Sequence, residues 1–437
     1  LAVGDRFLLR VLDETLTYEV DQILIVEPQE VAALGITEGG DSCTLVTCTP
    51  YGINTHRLLV RGHRVENDAQ AKAVRVTADA LQIEPLLGRN IFALSGGEKQ
   101  KIAFASSYAM GPAVFLLDEP SSNLDQAAIA ALREQLQRIK AQGKTVLIAE
   151  HRLYYLMDVA DRILYLENGA IAGDFTPAQF RALPNAVRQQ MGLRAVALAD
   201  ERPACVAAPA AAPVLELQGV TLAYQKRTVL QDISLQAAPG EVIAVVGQNG
   251  AGKTTFSRAL CGLHKAASGV YLWNGKPQTP QARRKRAYLV MQDVNYQLFA
   301  ESVAAECTFG IKRPDTALAE KTLEDLGLAP FRARHPNTLS GGQKQRLAAA
   351  ASIVSGKALL VLDEPTSGLD YDSMVRLSAL IRQLAGLGKI IFVVTHDYEF
   401  VCRTCGRVLQ FARGGIQADF SVTEAALRKC KDIFQVR

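Results

Sequence analysis

The feature that most constrains this fold is an internal repeat. "LSGGEKQKIAFASSYAMGPAVFLLDEPSSNLD" starts at Leu94, and "LSGGQKQRLAAAASIVSGKALLVLDEPTSGLD" starts at Leu339, an offset of 245 residues. The offset holds without gaps at Asp118/Asp363, Asp125/Asp370 and His151/His396. Two copies of one α/β domain are the natural reading. Between them, "RPACVAAPAAAP" (Arg202 to Pro213) is rich in Ala and Pro and has no amphipathic period, so it reads as a linker.

The second copy is complete. "EVIAVVG" is an apolar run ending in Gly, the pattern of a buried parallel strand. "GQNGAGKTT" and the helical pattern "FSRALCGL" follow. Gly247 to Thr254 fits the phosphate-loop pattern GxxxxGK[ST] in full, with Asn249, Gly250, Gly252, Lys253 and Thr255 inside or beside it. Such a loop offers backbone N–H groups to phosphate oxygens. Its Lys reaches the β- and γ-phosphates, and its Thr hydroxyl ligates Mg²⁺. The expected ligands are therefore a nucleoside triphosphate and Mg²⁺.

Two further strands end in chemistry-bearing residues. "ALLVLDE" delivers Asp363, suited to the Mg²⁺ shell, and Glu364, suited to polarising the attacking water. "IIFVVTH" delivers His396, expected at the γ-phosphate. The first copy lacks the phosphate loop: subtracting the offset from Gly247–Thr255 gives residues 2–10, "AVGDRFLLR", without Gly-Lys-Thr.

The loop, "LSGGQ", "LLVLDEP", "SGLD" and "VVTH", in this order, resemble the ATP-binding subunits of ABC transporters. The resemblance covers Val214 to Arg437 in full and about Ala69 to Asp200 in part. It implies α/β P-loop NTPase domains, one complete and one partial, whose signature helices close on an ATP held by the opposing domain. By position, Tyr224 would stack on adenine, and Gln292 would sense Mg²⁺ and water. Glu364 and His396 would be catalytic with Gln292, and Thr254, Gln292 and Asp363 would hold Mg²⁺. Ser95, Gly96, Gly97 and Glu98 would then close over the ATP held by Lys253, with Glu98 replacing the usual Gln as a mild departure. Asp118, Glu119 and His151 read as remnants. The alternative is a homodimer of second copies, with Ser340, Gly341, Gly342 and Gln343 facing Lys253 of the partner. "MQDVNYQLFAESVAAECTFG" is similar to the ATPases of energy-coupling factor transporters. That implies vitamin or transition-metal ion uptake, an integral-membrane partner with a coupling helix, and a separate substrate-binding membrane subunit.

Residues 1–66 run in short β-like stretches. "TLVTCTPYGINTHRLLVRGHR" (Thr44 to Arg64) resembles the end of a class C sortase, so an N-terminal all-β fragment of a sortase-like barrel is expected. The resemblance makes Cys48 the nucleophile and Arg57 the oxyanion-stabilising arginine. The His that serves as acid/base in that family lies upstream of this chain's start. His56 points to the opposite strand face from Arg57, and His63 lies about 20 Å along an extended strand. Transpeptidase activity is not the expectation.

The expected domains are 1–66 (sortase-like), 67–200 (truncated first ATPase domain), 201–213 (linker) and 214–437 (complete second domain). A sortase works outside the membrane and an ABC ATPase inside. A gene fusion, a deletion or a joining error near residues 66 to 70 would account for both in one chain, and an inactive fusion is one alternative function.

Composition excludes rather than selects. The net charge of +4 is too small to suggest nucleic acid. No apolar run approaches the roughly 18 residues of a membrane span, so the expected location is peripheral, on the cytoplasmic face of the membrane. No signal peptide is recognisable, and the chain opens on Leu1 rather than Met, as a fragment would. The one close cysteine pair, Cys402 and Cys405, reads as two ordinary thiols. A soluble ABC protein acting on the ribosome or on DNA is a further class, disfavoured by the short apolar linker.

Overall fold

The computed structural model describes the chain except residues 12–13, 28–29, 31–40, 50–55, 66–67, 92–93, 95, 123, 205–210, 225–226, 267 and 437; at residues 10–11, 14–15, 47–49, 57, 68–73, 96–97 and 100 it describes the backbone alone. The chain forms two compact units, Leu1–Pro112 and Ala113–Arg437. The division falls inside the 67–200 segment of the sequence reading.

In the first unit, β1 (Arg6–Val11), β2 (Glu14–Val26), β3 (Ser42–Thr49) and β4 (His56–Val65) form an antiparallel sheet in the order β1-β2-β4-β3. Tyr18, Val20, Leu59 and Val60 are buried; by alternation Tyr18, Val20 and Val60 share one face of the sheet, and Leu59 points to the other. Arg61 pairs with Asp21 at 2.9 Å, and Arg6 with Glu19 at 2.7 Å. Helices Asp68–Leu81 and Gly96–Ala109 follow.

The second unit opens with β5 (Val114–Asp118) and β6 (Thr145–Ala149), a two-stranded parallel sheet, then the antiparallel pair β7 (Ile163–Glu167) and β8 (Ala170–Phe175). Strands β9 (Leu215–Tyr224), β10 (Arg227–Ala237), β12 (Ser268–Trp273) and β13 (Lys276–Pro277) make a four-stranded antiparallel sheet. The central sheet holds β11 (Val242–Val246), β14 (Ala287–Val290), β15 (Leu359–Asp363), β16 (Ile390–Val394), β17 (Arg407–Ala412) and β18 (Gly415–Ser421). Its order is β14-β15-β16-β11-β17-β18, parallel except for β18. Its inner strands are buried on both faces, which is why they read as unbroken apolar runs. Val242, Ala244 and Val246 join one core with Leu347, Met374 and Leu377. Ile243 and Val245 join the other with Phe256, Leu260, Leu222 and Leu230.

The repeat is visible in the backbone. Val114 pairs with Thr145, and Leu359 with Ile390, each the other's counterpart at the offset of 245. Asp125 caps the helix Gln126–Ala141 by accepting from Ala128 N at 2.9 Å, and Asp370 caps Tyr371–Gly386 by accepting from Ser373 N at 2.7 Å. The copies differ where β11 should stand. β11 pairs with both β16 and β17 and so joins them into one sheet. In the first copy β6 and β7 lie in separate two-stranded sheets. The offset puts the counterpart of β14 at residues 42–45 and that of the helix Lys253–Leu260 at residues 8–15; residues 42–45, 8–11 and 14–15 lie within the antiparallel sheet of the first unit. Leu116 is 73% exposed and Leu147 58%, whereas their counterparts Val361 and Phe392 are fully buried.

This asymmetry sets unequal mutational costs. Phe392→Ala is expected to destabilise the second unit by about 3–5 kcal/mol. Leu147→Ala, at the equivalent position, should cost no more than about 0.5 kcal/mol. Denaturant unfolding of the two variants checks this, and equal losses would mean that the first-copy face is covered.

Candidate active site

The phosphate loop hangs between β11 and the helix Lys253–Leu260. Its glycines are required by space. A Cβ at Gly247 would run into the carbonyl oxygen of Phe411, and Gly252 has φ of +94° with Leu230 Cγ 2.9 Å from where its Cβ would lie. The loop therefore folds around the Lys253 side chain. Its Nζ is buried and donates to the carbonyls of Gly247 (2.6 Å) and Gln248 (3.1 Å). Burial lowers the Lys253 pKa, while Glu364, Asp363 and Asp125 oppose that shift.

The end of β15 brings two carboxylates to this loop. The Thr254 hydroxyl donates to Asp363 Oδ2 at 3.1 Å. Glu364 follows with φ of +50°, a left-handed conformation that a non-glycine residue holds only under constraint. Its N–H donates to Val394 O at 2.9 Å, which fixes the turn against the end of β16. Burial pushes the Glu364 carboxyl up to about 7, partly offset by Arg152 and Lys253. His396 Nε2 stands 3.6 Å from Glu364 Oε1. Burial, with Lys253 nearby, lowers the His396 pKa to about 3. At neutral pH the imidazole is uncharged, so this contact is not a full ion pair. A carboxyl poised near 7 beside a neutral imidazole is an acid/base arrangement.

The first copy repeats the geometry with opposite electrostatics. Glu119 has φ of +44°, its N–H donates to Ala149 O at 2.9 Å, and His151 Nε2 lies 3.4 Å from Glu119 Oε1. Here the mutual hydrogen bond dominates, raising His151 and lowering Glu119, the reverse of the shifts in the second copy. The pair is more exposed than its counterpart. Glu119 and His151, expected as remnants without a γ-phosphate to act on, keep the turn that positions them.

Three residues missed by the sequence reading complete the surroundings. Asp125 accepts through Oδ2 from Asn249 N in the phosphate loop, at 3.1 Å. Arg152 is buried, donates to Ser121 O and Leu124 O at 3.4 Å each, and shares a cavity wall with His396. Arg194 binds Asp397 and Glu399. Asp125 carried a signal, its offset match to Asp370. What the sequence did not show was that it crosses to the other copy's loop.

The remaining predicted residues are placed as follows. Gly250 lies in the loop with φ of +84°. Thr255 is buried behind it. Tyr224 is exposed, with its ring 4.6 Å from that of His264. Gln292 is exposed at the end of β14, and its carbonyl accepts from Gln345 Nε2 at 3.2 Å. Ser340 caps the helix Gly341–Val354, with its N–H donating to Gln343 Oε1 at 2.9 Å, and Gly342 lies against Gly368. In the first unit Ser95 lies outside the described residues. Gly96 and Gly97 open a helix there, and Glu98 pairs with Arg89 at 2.7 Å. Cys48 and Arg57 are directly opposed in the β3/β4 register, and their side chains lie outside the description. Cys402 and Cys405 are free and buried, and burial pushes the Cys402 thiol up to about 12. Among the described residues no group of three metal-ligating side chains is assembled.

The profile of the family described as "ABC transporter" matches residues 230–367, and that of the "Sortase domain" matches residues 1–65. A Treponema denticola protein named as an ABC transporter ATP-binding protein is 50% identical over 349 residues, covering 78% of this chain and 71% of its own length. The chain belongs to the ATP-binding proteins of ABC transporters. It is an ABC-type ATPase. A second such protein of Treponema denticola is 41% identical over 382 residues (86% of this chain, 75% of its own), and one of Enterococcus faecalis is 31% identical over 405 residues (81% and 71%).

Among solved structures, archaeal ABCE1 in its complex with the ribosomal stalk protein aP1 superposes on this ABC ATPase with a TM-score of 0.62 at 25% identity, covering 84% of this chain and 72% of that one. A model of ribosome-bound archaeal Pelota and ABCE1 matches with a TM-score of 0.66 at 23% identity. That likeness covers 83% of this chain and 64% of the other, less than two thirds of its length, and it shows the fold alone.

The tight loop predicts a sharp steric response. Gly247→Ala must displace the backbone at Phe411, a strain of about 1–3 kcal/mol, so ATP binding should weaken roughly 5- to 150-fold. Titration with a fluorescent ATP analogue measures it, and unchanged affinity would mean that the loop opens without cost.

Proposed function

We propose that this chain is the ATP-hydrolysing subunit of a membrane importer of the energy-coupling factor type, taking up a vitamin or a transition-metal ion. The observation that carries the reading is the convergence of Lys253, Thr254, Asp363, Glu364 and His396 on one loop. The residues present fit a magnesium nucleotide: a buried ammonium is held inside a ring of backbone groups, and Thr254 and Asp363 are already side by side. In this reading the loop from Gly247 through Asn249, Gly250 and Gly252 to Thr255 binds phosphates through its N–H groups, and Lys253 binds the β- and γ-phosphates. Thr254, Asp363 and Gln292 hold Mg²⁺, which when bound neutralises charge developing on the phosphates. Glu364 accepts the proton of the attacking water, His396 orients the γ-phosphate end, and Tyr224 stacks on the base.

The importer assignment rests on the run from Met291 to Gly310 and on its surface. Tyr296, Phe299 and Phe309 are exposed large aromatics, with the rings of Phe299 and Phe309 6.4 Å apart. An exposed aromatic patch beside Gln292 suits a coupling helix of an integral-membrane subunit, with a separate membrane subunit binding the substrate. The chain itself has no helix, among the described residues, long and apolar enough to cross a membrane. It would sit at the cytoplasmic face through that partner. A ribosome-associated ATPase is a second reading, favoured by the likeness to archaeal ABCE1. ATP-dependent co-sedimentation with ribosomes, against co-purification with a membrane subunit, decides between them. The match of residues 1–65 to the sortase domain supports a remnant of a class C transpeptidase around Cys48 and Arg57.

Two substitutions separate binding from turnover. Lys253→Ala should abolish tight ATP binding; retained micromolar affinity would sink the phosphate-loop assignment. Glu364→Gln should slow steady-state hydrolysis about 10²–10⁴-fold, the scale of a positioned proton acceptor, and spare binding. A rate within a factor of a few of wild type would move the base elsewhere.

A further inference from the structure

One helix reaches from the phosphate loop toward the end of β9. Lys253 stands at the start of the helix Lys253–Leu260, and His264 stands just beyond its end. A helix of eight residues is about 12 Å long, so it fixes the separation between the loop and whatever His264 holds. The chain leaves this helix through a tight reversal. Gly262 has φ of +72°, its N–H donates to Ala259 O at 3.0 Å, and the N–H of Leu263 donates to Arg258 O at 2.8 Å. This is the Schellman pattern of a helix C-terminus. A Cβ at Gly262 would lie 2.2 Å from Pro280 O, and Arg284 Nη1 donates to Gly262 O at 3.0 Å, so the reversal is packed against the segment 280–284.

The reversal sets His264 against the end of β9. Its Nε2 lies 3.1 Å from Ala223 O. A carbonyl only accepts, so Nε2 carries the proton and donates. The imidazole centroid stands 4.6 Å from that of the Tyr224 ring, with the planes at 49°. One side chain thus holds both the backbone before Tyr224 and the phenol ring itself. Among the described residues, no other ring contact and no side-chain hydrogen bond involves Tyr224. Tyr224 still keeps 45% of its surface exposed, so ring surface that His264 does not cover is open to a ligand. An exposed tyrosine at a strand end is free to change rotamer, and a ligand that must freeze it binds more weakly. Contact with His264 restricts the ring before the ligand arrives.

We propose that His264 is a positioning residue for the base: it holds Tyr224 in the orientation in which the phenol stacks on the purine ring of the nucleotide. The inference rests on the stacking role of Tyr224 and extends it to a residue of another element. The helix between Lys253 and His264 then registers the phosphates at its start and the base beyond its end.

The test measures, with Mg²⁺ present, the dissociation constant of ATP, the inhibition constant of inorganic tripolyphosphate, which has no base, and kcat. His264→Ala should weaken ATP roughly 2- to 10-fold. The loss should fall on ATP affinity rather than on kcat, and tripolyphosphate should bind as to wild type. His264→Phe, which keeps a ring, and His264→Gln, which keeps an N–H donor, should each recover part of the loss, and they carry the test if His264→Ala does not fold. Tyr224→Ala should weaken ATP about 5- to 150-fold. Adding His264→Ala to it should cause no further loss, because the histidine acts through the tyrosine. Unchanged ATP affinity in Tyr224→Ala would overturn the stacking role and this inference with it. Three other results would overturn this inference alone: a loss in Tyr224→Ala with none in His264→Ala, a His264→Ala loss that persists without Tyr224, or one that extends to tripolyphosphate.

Discussion

The structure of the second unit depends on the pairing of one short strand. Val242–Val246 bonds to β16 on one side and β17 on the other. It also carries the phosphate loop at its C-terminal end, and its alternate residues enter both cores. One element thus closes the sheet and presents the nucleotide loop, as expected where a parallel sheet gathers its site at the carboxyl ends of its strands. Where the repeat has no such strand, β5–β6 and β7–β8 remain separate pairs, and Leu116 and Leu147 face outward.

The two Glu–His pairs show how little of a site's chemistry lies in its residue types. Both pairs sit on left-handed turns tied to the neighbouring strand. In the second copy, burial raises the Glu364 pKa to about 7, and burial together with the nearby ammonium of Lys253 holds His396 uncharged. In the first copy the more exposed pair is shifted the other way, His151 up and Glu119 down, by its own hydrogen bond. The difference traces to the phosphate loop and to the packing that comes with it.

Much of this was legible in the sequence. Apolar runs ending in Asp-Glu and Thr-His located β15 and β16 because buried parallel strands leave an unbroken apolar signature. The glycine spacing located the loop because only glycine tolerates the approach of Phe411 and Leu230. The 245-residue offset aligned the helix caps Asp125 and Asp370. The compact units were not legible: they divide between Pro112 and Ala113, inside a segment that motif order alone treats as one domain. Motifs report local chemistry, whereas compactness depends on which strands find partners.

By itself, the sequence determined the phosphate loop, the strands that end in carboxylates and histidine, and the membership of the chain among ABC ATP-binding proteins, because each is a local pattern with a local physical cause. Only the tertiary structure decided that Asp125 would cross to the other copy's loop, that Arg152 and Asp397 would face one cavity, and that identical Glu–His pairs would hold their protons differently. Those outcomes depend on burial and on the juxtaposition of residues 124 or more positions apart, and no local pattern of residues encodes either.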